Sequence, residues 1–248
     1  MLWPTISALG AGFALGLKHA LDADHLAAVA AMVSERERSV AASSMVGLAW
    51  GAGHAASIVA VSLAMVLFGL SVPERLALWM EFAVGGILAV LGARVILRWR
   101  RGAVLHAHPH HHGGHVHFHP HVHPIEEAAD HGSHHPLPRP IGSIAGGDGA
   151  RSRTFLLGLA HGMAGSAALM ILILATLQGR ATQLAYVALF TAGSAMGMVL
   201  MSALVGLPFS RAGKQAVARQ RALRLAAGGV SLALGLFMMW SLVPALAA

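Results

Sequence analysis

Apolar stretches long enough to cross a lipid bilayer recur along almost the whole chain. A helix needs about 20 residues to span the hydrocarbon of a bilayer, and the pattern predicts six such segments. They fall near residues 4–33, 40–70, 77–98, 153–177, 183–206 and 224–246. The first two are about 30 residues each, so we expect them to tilt, kink or break. The predicted fold class is an all-α integral membrane protein, a bundle of six transmembrane helices.

The two halves of the chain resemble one another, which indicates a duplicated three-helix unit. Three pairs of segments match in the same order and at nearly the same offset: GLKHALDADHLAAV from Gly16 with GLAHGMAGSAALMI from Gly158, WGAGHAAS from Trp50 with FTAGSAMG from Phe190, and GGILAVLG from Gly85 with GGVSLALG from Gly228. An odd number of spans in each copy makes the second copy enter the membrane from the opposite face. The pattern therefore predicts two inverted repeats, an architecture typical of secondary transporters.

The predicted domain organisation follows from these repeats. Residues 1–100 form the first three-helix repeat, residues 101–152 a histidine-rich loop, and residues 153–248 the second three-helix repeat.

Polar residues interrupt the first apolar segment at KHALDADH. Lys18, His19, Asp22, Asp24 and His25 lie where the hydrocarbon of the bilayer would be. Each Lys or Asp at the centre of a membrane helix costs about 2.5–3.5 kcal/mol. An intramembrane cluster of His and Asp at such a cost indicates a metal or proton site.

A single straight helix cannot bring all of these donors to one ion. At 100° per residue His19, Asp22 and His25 spread over about 120° of arc, and Asp24 points away from His19. Convergence requires the helix to unwind or other helices to complete the site. His54 and His161 are the further donors, because small neighbours permit close helix packing there. The candidate metal ligands are His19, Asp24, His25, His54 and His161, together with Asp22.

Each of these assignments has a plainer alternative. His54 and His161 would each also suit a hydrogen bond between helices without any metal. Asp22 is either a ligand or a partner for Lys18. Ser166 and Ser194 occupy the positions in the second repeat that correspond to Asp24 and His54, so we expect an asymmetric site with most donors from the first half.

Composition narrows the function classes. The 248 residues are 56% hydrophobic and only 11% charged, whereas soluble domains carry about 25% charged residues. Cysteine is absent, which excludes a thiolate nucleophile and leaves only Met as a soft sulfur ligand. Imidazole and carboxylate donors favour Ni²⁺, Co²⁺, Zn²⁺, Mn²⁺ or Fe²⁺. The net charge is +7, but the basic residues lie mostly between apolar segments. This is the usual pattern of membrane topology, so we predict no nucleic-acid partner.

The basic residues predict the orientation. The loops on one side carry 13 Lys and Arg residues and those on the other carry 2. By the positive-inside rule both termini lie outside and the long central loop is cytoplasmic.

The central loop is rich in histidine. Thirteen histidines lie between His106 and His135, interleaved with Pro and Gly. Too few apolar groups are present to form a core, so we expect disorder unless something binds. The alternatives are metal sequestration or sensing, and a solvated linker whose histidines do little.

The motifs resemble those of one transporter family. HALDADH, His19 to His25, matches the HX₄DH signature of the nickel/cobalt transporter family. WGAGHAASI around His54 resembles the family's second histidine-bearing helix, and GLAHGMAGSAAL around His161 is similar to its six-helix UreH-like branch, which is linked with nickel supply to urease. This resemblance implies uptake of Ni²⁺, or of Co²⁺, as a transported substrate into the cytoplasm of a bacterium. It implies no resident cofactor, and it makes a cytoplasmic nickel chaperone a candidate partner.

The acidic LGxDTATE-type motif of larger family members is absent, which leaves the choice between nickel and cobalt undecided.

Three functions other than uptake stay open. A related efflux branch also has six helices and a long histidine-rich loop. An intramembrane metalloenzyme and a metal sensor are further alternatives, but the chain has no HExxH motif and no phosphate-binding loop. We predict that it is not an enzyme.

Overall fold

The computed structural model describes residues 2–36, 39–101, 104–112, 115–123, 148–163, 176–211 and 217–247. Within these ranges the chain forms helices and one pair of strands. The elements are α1 (Leu2–His19), α2 (Ala23–Arg36), α3 (Val40–Phe68), α4 (Glu74–Arg101), β1 (Val104–His112), β2 (His115–His123), α5 (Asp148–Gly162), α6 (Arg180–Arg211) and α7 (Val217–Ala247).

The protein is an α-helical membrane protein, as the hydropathy pattern predicts. Among the described residues, four helical segments are long and apolar enough to span a bilayer: Val40–Phe68, Glu74–Arg98, Arg180–Ser210 and Gln220–Ala247. They match the second, third, fifth and sixth predicted segments. Large apolar side chains such as Leu48, Trp79, Leu204 and Trp240 are exposed on them, which suits a face turned to lipid. Part of the fourth predicted segment, 153–177, lies outside the described residues.

The first predicted segment is broken into two helices. α1 ends at His19 and α2 begins at Ala23. Short-range hydrogen bonds carry the chain through the break: Leu21 N–H donates to Lys18 C=O at 2.9 Å, and Asp22 N–H donates to His19 C=O at 3.1 Å. α2 has 14 residues, or about 21 Å at 1.5 Å per residue, so it is too short to cross a bilayer alone. The sequence expectation of a kink or break is confirmed.

Helix α2 lies inside the bundle. It contacts α3, α4, α6 and α7, and its small apolar residues are fully buried: Ala27, Ala28, Val29, Ala31 and Val33. Side chains of this size allow helices to approach closely in a membrane. Helix α2 is therefore largely enclosed by protein, whereas Leu21 and Asp22 at the break before it are exposed.

The ends of α3 are set by local chemistry. Ser39 caps its N-terminus, where its hydroxyl oxygen accepts a hydrogen bond from Ala42 N–H at 3.2 Å. Gly69 ends it in the left-handed conformation at φ 66°, with its N–H donating to Met65 C=O. α3 packs against α5 and α6, α1 packs against α6, and α4 packs against α7.

Two strands lie within residues 101–152, the segment for which the sequence predicts disorder. β1 and β2 pair antiparallel, from Val104 opposite His123 to His112 opposite His115. Residues 124–147 lie outside the described part of the chain. An isolated two-stranded hairpin is only marginally stable in water, so disorder of the metal-free loop stays a prediction.

Candidate metal centre

Four histidines from four helices meet in the interior of the bundle. The break places His19 at the end of α1 and His25 in the first turn of α2, while α3 supplies His54 and α5 supplies His161. The His25 ring lies at the centre, with ring centroids 4.5 Å from His19, 5.0 Å from His54 and 4.6 Å from His161. His25, His54 and His161 are each only 1% exposed. Residues from both halves of the sequence thus form one cluster.

Asp22 orients the imidazole of His19. The His19 Nδ1–H donates to Asp22 Oδ2 at 2.8 Å, and His19 Nε2 lies 3.1 Å from His54 Nε2. A carboxylate on one ring nitrogen fixes the tautomer and turns the lone pair of the other nitrogen toward a ligand. Asp22 is half exposed. The structure therefore places the Asp22 carboxylate in contact with the His19 ring.

Asp24 bridges two further imidazoles. Its Oδ1 accepts a hydrogen bond from His25 Nδ1 at 3.1 Å, and its Oδ2 accepts one from His161 Nε2 at 2.9 Å. With Nδ1 donating, His25 Nε2 carries a lone pair. His25 Nε2, His54 Nδ1 and His161 Nδ1 are all buried and have no hydrogen-bond partner within the described residues. Unpaired polar atoms in an interior are costly, and a bound cation is the group that would use these lone pairs.

The donor atoms fall into two overlapping groups. One comprises His19, His25 and His54, and the other comprises Asp24, His25 and His161; in each group the donor atoms lie within 4.8 Å of one another. Ligands that share an ion at about 2.1 Å stand within about 4.2 Å of one another, so small side-chain shifts would complete either group. Five of the six predicted site residues belong to these groups, and Asp22 stands behind them.

Glycines bring α3 and α5 close enough to join His54 to His161. A Cβ atom on Gly53 would lie 2.8 Å from the backbone nitrogen of Leu159, and one on Gly158 would lie 3.0 Å from the carbonyl carbon of Trp50. Neither position has room for a side chain. The small neighbours of the two histidines therefore permit the close packing that the site needs.

Aromatic rings line the cluster at positions that the sequence analysis did not nominate. Trp50 is fully buried with its ring 5.0 Å from that of His161, and Phe190 stacks on His19 at 5.7 Å. Trp50 and Phe190 align with one another in the internal repeat. This equivalence was the signal that could have marked both rings as part of the site.

Similarity to a known protein extends over almost the whole chain. The sequence is 29% identical over 237 residues to the urease accessory protein UreH of Bacillus sp. (strain TB-90), covering 96% of this chain and 92% of that protein. The chain is therefore similar to this protein along almost its whole length. The resemblance predicted from HALDADH and its companion motifs is thereby confirmed, and a relative named as an accessory protein agrees with the prediction that this chain is not an enzyme. No family model and no solved structure matches.

Proposed function

We propose that this protein carries Ni²⁺, with Co²⁺ as the alternative substrate, across the bacterial plasma membrane into the cytoplasm through the buried His/Asp centre. The observation that carries the proposal is His25, which is buried among three other imidazoles with its Nε2 unpartnered in the described structure. Similarity to a urease accessory protein supports the choice of metal, because the UreH-like branch is linked with nickel supply to urease.

The geometry suggests a role for each donor. His19 and His25 would offer Nε2 to the ion, and His54 would join them when its contact with His19 is replaced by the metal. Asp24 would contribute negative charge and hold His25 and His161 in position. Metal binding requires neutral imidazole and ionised carboxylate. A site of neutral nitrogen donors around a carboxylate suits a divalent transition metal in transit.

Recurring helix contacts support the inverted repeats. Gly16 on α1 packs against the Phe190 carbonyl on α6, and Gly158 on α5 packs against the Trp50 carbonyl on α3. These are the same contact in the two halves, because the internal repeat aligns Gly16 with Gly158 and Trp50 with Phe190. The first helix of each half therefore packs on the second helix of the other half. We propose two inverted three-helix repeats with six spans.

The third helices of the two halves show the same relation. Gly92 on α4 contacts the Gly228 carbonyl on α7, and Gly235 on α7 contacts the Gly85 carbonyl on α4. The internal repeat aligns Gly85 with Gly228 and Gly92 with Gly235, so these two contacts are also equivalent. Rocking of two such halves around a central site is the usual basis of alternating access, and we propose that it exposes the centre to each side in turn.

The centre is unequally divided between the halves. His161 corresponds to His19, whereas the position that corresponds to His54 is Ser194, a buried residue whose hydroxyl has no partner in the described structure. Ser166, the counterpart of Asp24, lies outside the described residues. The first half thus supplies most of the donors. We place both termini outside and the histidine loop in the cytoplasm, on the basis of the Lys and Arg distribution.

The test is Ni²⁺ movement by the purified protein in proteoliposomes. We expect saturable entry that Co²⁺ inhibits and that His25→Ala abolishes, with His131→Ala in the central loop as the matched histidine control. Tight binding without flux would contradict a permease and favour a sensor. Intact cells separate the two directions: accumulation supports uptake, and faster loss from preloaded cells would favour efflux.

A further inference from the structure

The register of β1 and β2 sorts the loop histidines onto one face. Four histidines of β1 stand directly opposite four histidines of β2, in the pairs His106–His121, His108–His119, His110–His117 and His112–His115. Successive residues of a strand alternate between the two faces of a sheet, so these eight positions share one face. Within the strands, His111 and residues such as Leu105, Val116, Phe118 and Val122 occupy the other face.

The sequence encodes this arrangement independently of the register. Histidine recurs at every second position through both strands, which is the period of a β-strand. The two runs are separated by Gly113 and Gly114 alone, and Gly-Gly is one of the pairs typical of a two-residue hairpin connection.

The two prolines of the segment fit the same pattern. Pro109 stands opposite Phe118 and Pro120 stands opposite Ala107, so both belong to the pairs that alternate with the histidine pairs. In an antiparallel ladder, every second pair makes no hydrogen bonds between the strands. Both prolines fit this set, where a missing N–H costs the ladder nothing. The histidine pairs then occupy the hydrogen-bonded positions.

The distance across the hairpin suits a shared ion. Residues directly opposite one another have Cβ atoms about 4.5–5.5 Å apart, whereas same-face neighbours along one strand are about 6.6 Å apart. A cross-strand pair is therefore the tighter two-imidazole chelate. Imidazole is a ligand for Ni²⁺, Zn²⁺ and Cu²⁺ alike.

We propose that residues 104–123 form a metal-binding hairpin in which each cross-strand histidine pair holds one divalent transition-metal ion. Because an isolated two-stranded hairpin is only marginally stable in water, the bound ions hold the strands together, and folding and metal binding are coupled. The first ion fixes the register for the rest, so binding is cooperative. The proposal does not depend on transport, since a chain that moved no metal would still bind it here.

The test counts Ni²⁺ ions bound by the full-length protein in detergent, by equilibrium dialysis, so that the membrane centre contributes equally to every variant. His110→Ala removes one member of a pair and should lower the count by one ion. His111→Ala, on the opposite face, should leave the count unchanged. Equal losses in the two variants would overturn the proposal.

Double variants test the pairing itself. His106→Ala with His121→Ala removes a single pair and should cost one ion, whereas His106→Ala with His115→Ala damages two pairs and should cost two. If the two double variants lose the same number of Ni²⁺ ions, the loss depends only on how many histidines are removed, and the pairing is wrong. Hydrogen exchange gives a second readout: Ni²⁺ should protect the amides of residues 104–123 in the wild-type chain, and absence of protection at saturating Ni²⁺ would contradict a folded hairpin.

Discussion

The buried centre and the histidine hairpin use the same imidazole group in opposite ways. The centre collects four histidines from four helices and holds them with Asp22, Asp24 and close helix packing. The hairpin takes eight histidines from two paired strands. In the first case the fold positions the ligands before metal arrives; in the second the metal would have to organise the chain. This difference is the one expected between the proposed transport site and the proposed metal-binding hairpin.

The largest effect we expect is a loss of Ni²⁺ binding by the hairpin when the pH is lowered. Imidazole exposed to water has a pKa of about 6.5 and binds metal only when neutral, so metal affinity falls as pH decreases. With two imidazoles on each ion, we expect the Ni²⁺ affinity of the loop to fall about 100-fold per pH unit below that pKa. Equilibrium dialysis with Ni²⁺ between pH 7.5 and 5.5, done separately on the wild-type chain and on a chain lacking residues 106–135, gives the Ni²⁺ affinity of the loop by difference. A tenfold fall per unit would indicate one imidazole on each ion.

The two aspartates of the centre should differ in effect. Asp24 contacts two imidazoles and belongs to a donor group, whereas Asp22 contacts one imidazole and is half exposed. Loss of a carboxylate that orients a metal-binding histidine costs about 10–100-fold in affinity. We expect Asp24→Asn to reach the upper end of this range or exceed it, and Asp22→Asn to stay at the lower end, in Ni²⁺ uptake at limiting metal. An equal loss would show that Asp22 is itself a ligand.

The close approach of α3 and α5 should be sensitive to a single methyl group. In Gly158→Ala the new Cβ meets the backbone of Trp50, which would separate His54 from His161; overpacking of this kind costs about 1–3 kcal/mol. We expect a several-fold loss of uptake and a lower melting temperature. Gly149→Ala on the same helix is the control, because nothing lies within 4 Å of its added Cβ. Equal behaviour of the two variants would show that the helices can separate without harm to the site.

Removal of the histidine loop should have the smallest effect on transport. A chain lacking residues 106–135 keeps every residue of the centre. We expect its initial rate of Ni²⁺ entry into proteoliposomes to stay within about twofold of wild type, since the donors that set affinity are unchanged. Abolished transport would mean that the loop is part of the pathway.

Much of the candidate centre was predictable because its polar residues interrupt a segment that is otherwise apolar. HALDADH in an apolar segment indicates a candidate site, and helix geometry predicts that His19, Asp24 and His25 converge only if the helix is interrupted or other helices complete the site. The internal repeat then indicated His161 as a further donor, because it aligns with His19. The partner of Asp22 was not predictable, because it depends on the turn through residues 20–22, whose conformation the hydropathy pattern does not specify.

The hairpin shows the limit of a composition argument. Few apolar residues lie in the loop, so composition predicts disorder. The alternation of histidine carries a second signal, since a period of two residues matters only once a strand forms. Hydropathy alone did not show how the first apolar segment is divided. The segment forms two helices, α1 and α2, because its polar residues lie at and beside a break.

The most direct test of the buried centre is Ni²⁺ binding by the chain without residues 106–135, with and without His25→Ala. Equilibrium dialysis gives the number of ions, and X-ray absorption at the nickel edge gives the ligand atoms. We predict one ion with several imidazole ligands, lost on replacement of His25. No bound ion in the loop-deleted chain, or an ion that persists in His25→Ala with the same ligands, would contradict the account.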